Sequence, residues 1–158
     1  MTDDYANWYY KGVEHILAGD AKWPAGSTSI YMTLWTAFVP VQATDELYAT
    51  HAITGNSNCT ELAAGNGYTQ GGVALTSVTA PAVYSSTNIS LSSANATWTG
   101  PCTFTGVVAA MLYYAGTSNY VLGYIDWALT GPKAAQGGQF IVQCPTAGWF
   151  EQPVTTNS

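Results

Sequence analysis

Few side chains in this sequence have the type and spacing that chemistry requires. Asp45 and Glu46 precede His51 in one polar stretch, and Cys59 and Glu61 follow it. A metal site formed by Asp45, Glu46 and His51 is not favoured, because protein zinc sites usually have more nitrogen or sulfur ligands. Cys59 and His51 have the residue types of a nucleophile and its base. Two of the three acids could also pair across the loop, as the carboxylates of a glycosidase do. We interpret the three acids as solvated loop residues, and a thiol and a histidine in a loop without an orienting scaffold do not indicate a catalytic pair. We predict no catalytic site and no metal site.

The stretch GNGYTQGG, residues 65–72, places four glycines in eight residues and is the strongest candidate for a phosphate loop. A dinucleotide-binding loop needs G-x-G-x-x-G before a helix, but Gln70 occupies the third glycine position and the strand-like VALTSV follows. A P-loop also needs an adjacent lysine, and this stretch has none. We therefore predict a structural turn and no cofactor.

The expected turn uses glycine where the backbone needs a positive φ. Gly65 and Gly67 are predicted to supply it, and the last two glycines to form a bulge that enters the next strand. The tyrosine between them is predicted to pack its ring and to hydrogen-bond through its hydroxyl. The residues of this turn are Gly65, Gly67, Tyr68, Gly71 and Gly72.

Two ionisable side chains stand apart from these stretches. His15 falls at the solvent border of a helical apolar stripe and is expected to be a rim residue. Asp126 stands between Ile125 and Trp127 in an apolar strand pattern. We expect it on the outward face of a sheet, paired with Lys133 across the following turn.

The composition excludes several function classes. The 158 residues are 47% hydrophobic and 13% aromatic, but only 8% are charged, with three lysines, no arginine and a net charge of −6. Phosphate contacts need lysine and arginine, so nucleic acid and anionic membranes are not expected as partners. No apolar run reaches the roughly 18 residues that span a bilayer. A neutral surface rich in threonine and aromatics is typical of one packed against other subunits.

The cysteines Cys59, Cys102 and Cys144 are odd in number and none is in a C-x-x-C pair. We expect reduced, mostly buried thiols of a protein made in a cytosol. One disulfide with a spare thiol is the alternative.

The chain opens with one helical pattern, predicted over residues 3–18 with Gly19 as its stop. Strand patterns follow. STSIYMTLWTAFVP alternates, with Ile30, Met32, Leu34 and Phe38 on one face. VALTSVTA and NISLSS are predicted strands, and residues 44–62 form a long polar loop.

The second half of the chain predicts a buried centre. CTFTGVVAAMLYY is apolar on both faces, which favours a central strand covered on two sides, although periodicity alone also fits a buried helix. YVLGYIDWAL is its predicted hairpin partner, GPKAAQGG a turn and QFIVQCP a short strand. Six to eight strands after one helix predict a mainly β fold, an antiparallel β-sandwich or jelly roll in a single domain over 1–158.

The order of motifs resembles a family of small tailed-bacteriophage virion proteins, labelled tail fibre, minor structural or capsid decoration (cement) proteins. A helix ending HILAGDAKW leads to IYMTLWTA, then to an E-x-x-x-G-x-G-Y corner from Glu61 to Tyr68, to ATW and to FTGVVAAMLYY. GYIDWALTGPKAAQGG is similar to the family's LLFHGALTAPKTVNAGD. The resemblance covers Tyr5 to Gly148, and this chain departs from it in lacking arginine and in its longer 44–62 loop.

The resemblance implies a non-enzymatic structural protein of the virion, made in the bacterial host cytoplasm. The leading expectation is a capsid decoration protein that binds the major capsid protein on the outer head lattice as a homo-oligomer and stabilises it. Three consecutive aromatic side chains cannot all face one core, so the N-terminal segment is expected to touch a partner. The candidate contact residues are Tyr5, Trp8, Tyr9 and Tyr10.

The sequence leaves two alternatives open. A tail fibre or minor tail protein would bind tail proteins, or a receptor or carbohydrate, with Trp23, Trp35 and Trp149 stacking on sugars. An enzyme such as a glycosidase rests on the loop acids alone.

Overall fold

A computed structural model describes residues 6–24, 26, 28–49, 59–85 and 88–153. Within them the fold is mainly β with one helix. The elements in chain order are β1 (Asn7–Trp8), α1 (Tyr10–Ala18), β2 (Ile30–Ala37), β3 (Thr60–Glu61), β4 (Val73–Ala74), β5 (Ala82–Ser85), β6 (Asn88–Leu91), β7 (Ala96–Val107), β8 (Ala109–Tyr114), β9 (Tyr120–Asp126), β10 (Lys133–Val142) and β11 (Phe150–Pro153).

The strands pair into three antiparallel sheets. The largest has six strands in the order β1-β9-β8-β2-β3, with β4 also paired to β2. A long ribbon joins β10 to β7, and a three-stranded sheet has the order β11-β6-β5. The predicted antiparallel β-sandwich with one short N-terminal helix is confirmed, although the described chain divides into eleven strands instead of six to eight.

The main core lies against one face of the six-stranded sheet. Alternation in β2 directs Ile30, Met32 and Leu34 into it, as predicted, because successive side chains of a strand point to opposite faces. Phe38 was expected on the same face but packs against the second cluster, on the other face. A register shift between Trp35 and Ala37 breaks the alternation before Phe38 is reached.

The predicted central strand and its hairpin partner are confirmed as β8 and β9. β8 pairs with β2 on one side and β9 on the other, and its residues from Ala109 to Tyr113 are buried. The stretch CTFTGVVAAMLYY is however two strands, because β7 ends at Val107 and β8 begins at Ala109.

The helix begins later than predicted. Residues 3–5 lie outside the described residues. Asn7 and Trp8 were predicted as part of the helix, but they form β1, which pairs with β9. Tyr9 is extended, with φ −81° and ψ 135°, and its N–H donates to the Leu122 carbonyl at 3.0 Å. Tertiary pairing therefore takes over the residues that local periodicity assigns to the helix. The helix ends as expected, at Gly19 with φ +84°.

One turn prediction was wrong, and one predicted strand is shorter than expected. GPKAAQGG is not a turn, since the strand β10 begins at Lys133 and runs ten residues along β7. Three register shifts along this pair, with Gly137 at φ +77°, accommodate the glycines as bulges. VALTSVTA contributes only Val73–Ala74 to a strand.

Gly72→Ala should lower the free energy of unfolding by about 3 kcal/mol or more, because the new Cβ combines a strained backbone with overpacking. The Gly72 φ is +76°, and a Cβ there would lie 1.9 Å from the Met32 carbonyl oxygen. Gly137→Ala is the matched control, since its φ is +77° and nothing lies within 4 Å of the added Cβ. Urea denaturation should show a loss of only about 1 kcal/mol for the control. Equal losses in both variants would contradict the backbone contact.

Candidate functional site

The three described aromatics of the N-terminal segment point in three directions. Trp8 is half-buried and its ring stacks on Phe150, with centroids 3.8 Å apart. Tyr9 is fully buried and its ring lies 5.1 Å from that of Tyr124 in the second cluster. Tyr10 is 63% exposed. Tyr5 lies outside the described residues. Of the three described aromatic side chains Tyr10 is the most exposed, and its contact role stays a prediction.

Three exposed apolar side chains lie at the start of α1 and in the segment after β2, and we name this set the Tyr10 patch: Tyr10, Val39 and Val41. The Tyr10 N–H donates to the Gln42 carbonyl at 2.9 Å, and the Gln42 side-chain amide donates to the Trp8 carbonyl at 3.0 Å. These bonds hold the segment after β2 beside the start of α1. The two valines are 53% and 47% exposed, and the Val41 N–H donates to the Asp45 carboxylate at 2.6 Å.

The predicted glycine turn is confirmed in its backbone. The values of φ are +118° at Gly65, +85° at Gly67, +88° at Gly71 and +76° at Gly72. The last pair was expected to form a bulge, but it lies in the turn ahead of β4, where the Gly72 N–H donates to the Thr69 carbonyl at 3.0 Å. A turn that leads into a strand leaves no helix N-terminus to hold a phosphate.

The turn is held by a buried carboxylate that sequence analysis misinterpreted. Glu61 was expected to be a solvated loop acid, but it is only 7% exposed. It accepts hydrogen bonds from the hydroxyls of Tyr48 and Tyr68, both at 2.6 Å, and from the Gly71 N–H at 2.8 Å. Tyr113 also donates its hydroxyl to the Gly71 carbonyl at 3.0 Å. The expected packing and hydroxyl bond of Tyr68 are confirmed.

This arrangement is built to hold structure. Burial, with the charge of Glu61 beside them, raises the pKa of Tyr48 and of Tyr68 well above the ordinary tyrosine range. Burial likewise raises the pKa of Tyr113 to about 12. The phenols therefore stay neutral donors. Two of them, Tyr48 and Tyr68, and the Gly71 N–H donate to the carboxylate. The sequence feature that indicates this contact is the E-x-x-x-G-x-G-Y spacing, because it places the Tyr68 phenol within reach of Glu61 across a tight turn.

His15 is more than a rim residue. Its side chain is 12% exposed, with Nε2 2.8 Å from Glu46 Oε1 and Nδ1 3.2 Å from Asp20 Oδ2. Its ring stacks on that of Tyr120, with centroids 3.6 Å apart. The contact from α1 to the 44–49 segment was not predicted, because a bond spanning 31 residues leaves no local pattern.

Asp126 is exposed on the outward face, as expected. The expected pairing with Lys133 is replaced by other contacts. The Asp126 carboxylate accepts the Ala128 N–H at 2.8 Å, and Lys133 Nζ lies 5.7 Å from the centroid of the Trp127 ring.

The structure also locates several other candidate residues, while His51 is not among those it describes. Trp23, Trp35 and Trp149 are at most 5% exposed, so they cannot stack on sugars as the carbohydrate alternative required. Cys59, Cys102 and Cys144 are free thiols, and the first two are buried. Among the described residues, no three histidine, cysteine or acidic side chains group as metal ligands, and the described helix is too short to cross a membrane.

Comparison with known proteins finds no matching family model, no similar curated protein and no similar solved structure.

Glu61→Gln should lower the free energy of unfolding by about 2 kcal/mol, because hydrogen bonds to a charged acceptor are the strong ones and the amide supplies one acceptor oxygen in place of two. Glu14→Gln is the control, since Glu14 is exposed and pairs only with Lys11 on the helix surface. Urea denaturation at neutral pH should show almost no change in the control. A Glu61 variant as stable as the parent would show that the carboxylate does not hold the turn.

The protein should lose stability as the pH rises above about 10, the ordinary tyrosine pKa. The unfolded chain then releases phenolic protons that Tyr48, Tyr68 and Tyr113 retain in the fold, because their folded pKa values are raised. The unfolded state binds fewer protons, so each such phenol removes up to about 1.4 kcal/mol per pH unit, and none below pH 10. Tyr68→Phe should make the decline between pH 10 and 11.5 shallower in urea denaturation. An unchanged slope would contradict this account.

Proposed function

We propose that this chain is a non-enzymatic structural protein of a bacteriophage virion, and that it decorates the capsid by binding the major capsid protein on the outer lattice. The observation that carries the proposal is the Tyr10 patch, an exposed apolar surface on a chain with very few charges. The resemblance of the motif order to small virion proteins supports the same role.

The physical basis of attachment follows from composition. Interfaces are rich in aromatic side chains at their centre, and the Tyr10 patch supplies one tyrosine and two valines. Three lysines and no arginine allow few ion pairs with a partner. Attachment therefore depends on buried apolar area, which salt screens little. Many copies on one lattice strengthen a weak individual contact through avidity.

The described acids and thiols also fit a structural role better than catalysis. Glu61 is surrounded by donors, and Cys59 and Cys102 are buried. Burial raises the pKa of Cys59, which disfavours the thiolate that a nucleophile needs.

Tyr10→Ser should reduce the occupancy of this protein on assembled heads, because it removes the largest exposed apolar group of the Tyr10 patch. Leu129→Ser is the matched control, since Leu129 is 99% exposed in the turn after β9 and lies outside the patch. Occupancy is measured by sedimenting heads with added protein at 50 mM and 500 mM salt.

We expect the control to bind like the parent, the Tyr10 variant to bind less, and salt to have little effect. Heads stripped of the protein should also rupture more readily on heating. Attachment that falls steeply with salt, stripped heads as robust as intact ones, or a handful of copies located on the tail would overturn the decoration role.

A further inference from the structure

A cleft of about 300 Å³ opens at one end of the six-stranded sheet, and its lining residues are distinct from those of the glycine turn and the Tyr10 patch. Its volume is at the lower end of the range for small-molecule sites. It lies between the end of α1 and the turn that joins β8 to β9. The residues that line it are Asp20, Tyr114, Gly116, Thr117, Ser118 and Tyr120.

Two tyrosine rings form the aromatic part of the cleft. Tyr114 ends β8 and Tyr120 begins β9, and the two are direct partners across the antiparallel ladder. Both rings pack against the main core, so they project from the same face of the sheet. Gly116 lies against the Tyr114 ring, where an added Cβ would come within 2.7 Å of Cε1. The turn therefore approaches this ring closely because Gly116 has no side chain.

One carboxylate provides the charged part of the cleft. Asp20 follows the helix, and its side chain is 53% exposed, so its oxygens are open to a ligand. His15 holds this carboxylate from one side through Nδ1 at 3.2 Å and covers one face of the Tyr120 ring. The acceptor and the ring are thus positioned by the same imidazole.

The chemistry of these residues defines the ligand class. Four of the six lining residues carry hydroxyl groups, and an ionised carboxylate accepts hydrogen bonds without donating any. Such a lining pairs with a ligand that has several hydroxyl donors and acceptors. Asp20 is the charged group among the lining residues and it is acidic, so anionic ligands are repelled. The two tyrosines that line the cleft add apolar ring atoms beside these polar groups, which suit the carbon skeleton of such a ligand. We propose that the cleft binds a neutral saccharide.

This inference goes beyond the proposed function, because the cleft lies apart from the patch proposed to contact the capsid. The decoration role is tested on heads, and the cleft is tested on the isolated protein. Failure of one experiment therefore leaves the other intact.

The binding test is a nuclear magnetic resonance titration of the ¹⁵N-labelled protein. The probes are glucose, galactose, mannose, N-acetylglucosamine, lactose and maltose, each up to 50 mM. We expect at least one to give saturable shifts of the backbone amides of Gly116, Thr117 and Ser118. Glucuronic acid should bind at least tenfold more weakly than its neutral counterpart. Choline is the cation probe and should give no saturable shift at these amides.

Asp20→Asn should weaken binding of the same saccharide at least tenfold, because the amide replaces a charged acceptor by a neutral one. Asp126→Asn is the matched control and should bind like the parent, since Asp126 is exposed at the other end of β9 from Tyr120 and accepts the Ala128 N–H. Gly116→Ala is a second variant and should also weaken binding, by displacing the Tyr114 ring. No saturable shift with any of the neutral probes, tighter binding of choline or glucuronic acid, or equal binding by the parent, the Asp20 variant and the Gly116 variant would overturn the proposal.

Discussion

The strands β2, β8 and β9 are covered by apolar side chains on both faces, and most of the structure depends on that double burial. Both faces of these strands are densely packed with side chains, so the helix and β1 contact β9 through backbone atoms. Glycine stands where this happens. A Cβ at Gly12 of the helix would lie 2.6 Å from the Val121 carbonyl oxygen, and one at Gly123 would lie 2.4 Å from that of Asn7. The helix and β1 therefore reach β9 through two positions that have no side chain.

Double burial also explains why this chain retains a buried carboxylate. A charged group out of water must be hydrogen-bonded, and Glu61 receives donors from two phenols and a backbone amide. Tyr48 belongs to the segment that covers the second face, where its ring stacks on Tyr113 with centroids 4.5 Å apart. Tyr68 belongs to the glycine turn. One acid thus couples the cover of the second face to the shape of the turn, with phenols in the place that ion pairs take in more highly charged proteins.

The sequence predicted those features that have a local cause. The two-sided strand β8, the stop at Gly19 and the positive φ of Gly67 follow from periodicity and from the freedom of glycine. The errors have non-local causes. The pairing of β10 with β7 turned a glycine-rich stretch into a strand, and a register shift moved Phe38 to the other face. Glu61 bonds across a turn, and His15 bonds a segment that is distant in sequence. Neither bond has a local pattern, so the sequence indicated a solvated carboxylate and a rim imidazole.

The distribution of aromatic side chains limits where recognition can occur. The core takes up the tryptophans other than half-buried Trp8, so tyrosines supply the accessible rings. The helix organises two such places, since Tyr10 is its first residue and Asp20 follows its end, separated by roughly 14 Å of helix axis. Both depend on the contact of Gly12 with β9. A chain with few charges steers partners weakly from a distance, so short-range contact must select them. The patch proposed to contact the capsid and the cleft proposed to bind a saccharide lie at opposite ends of one helix, so attachment through the first would leave the second open to solvent.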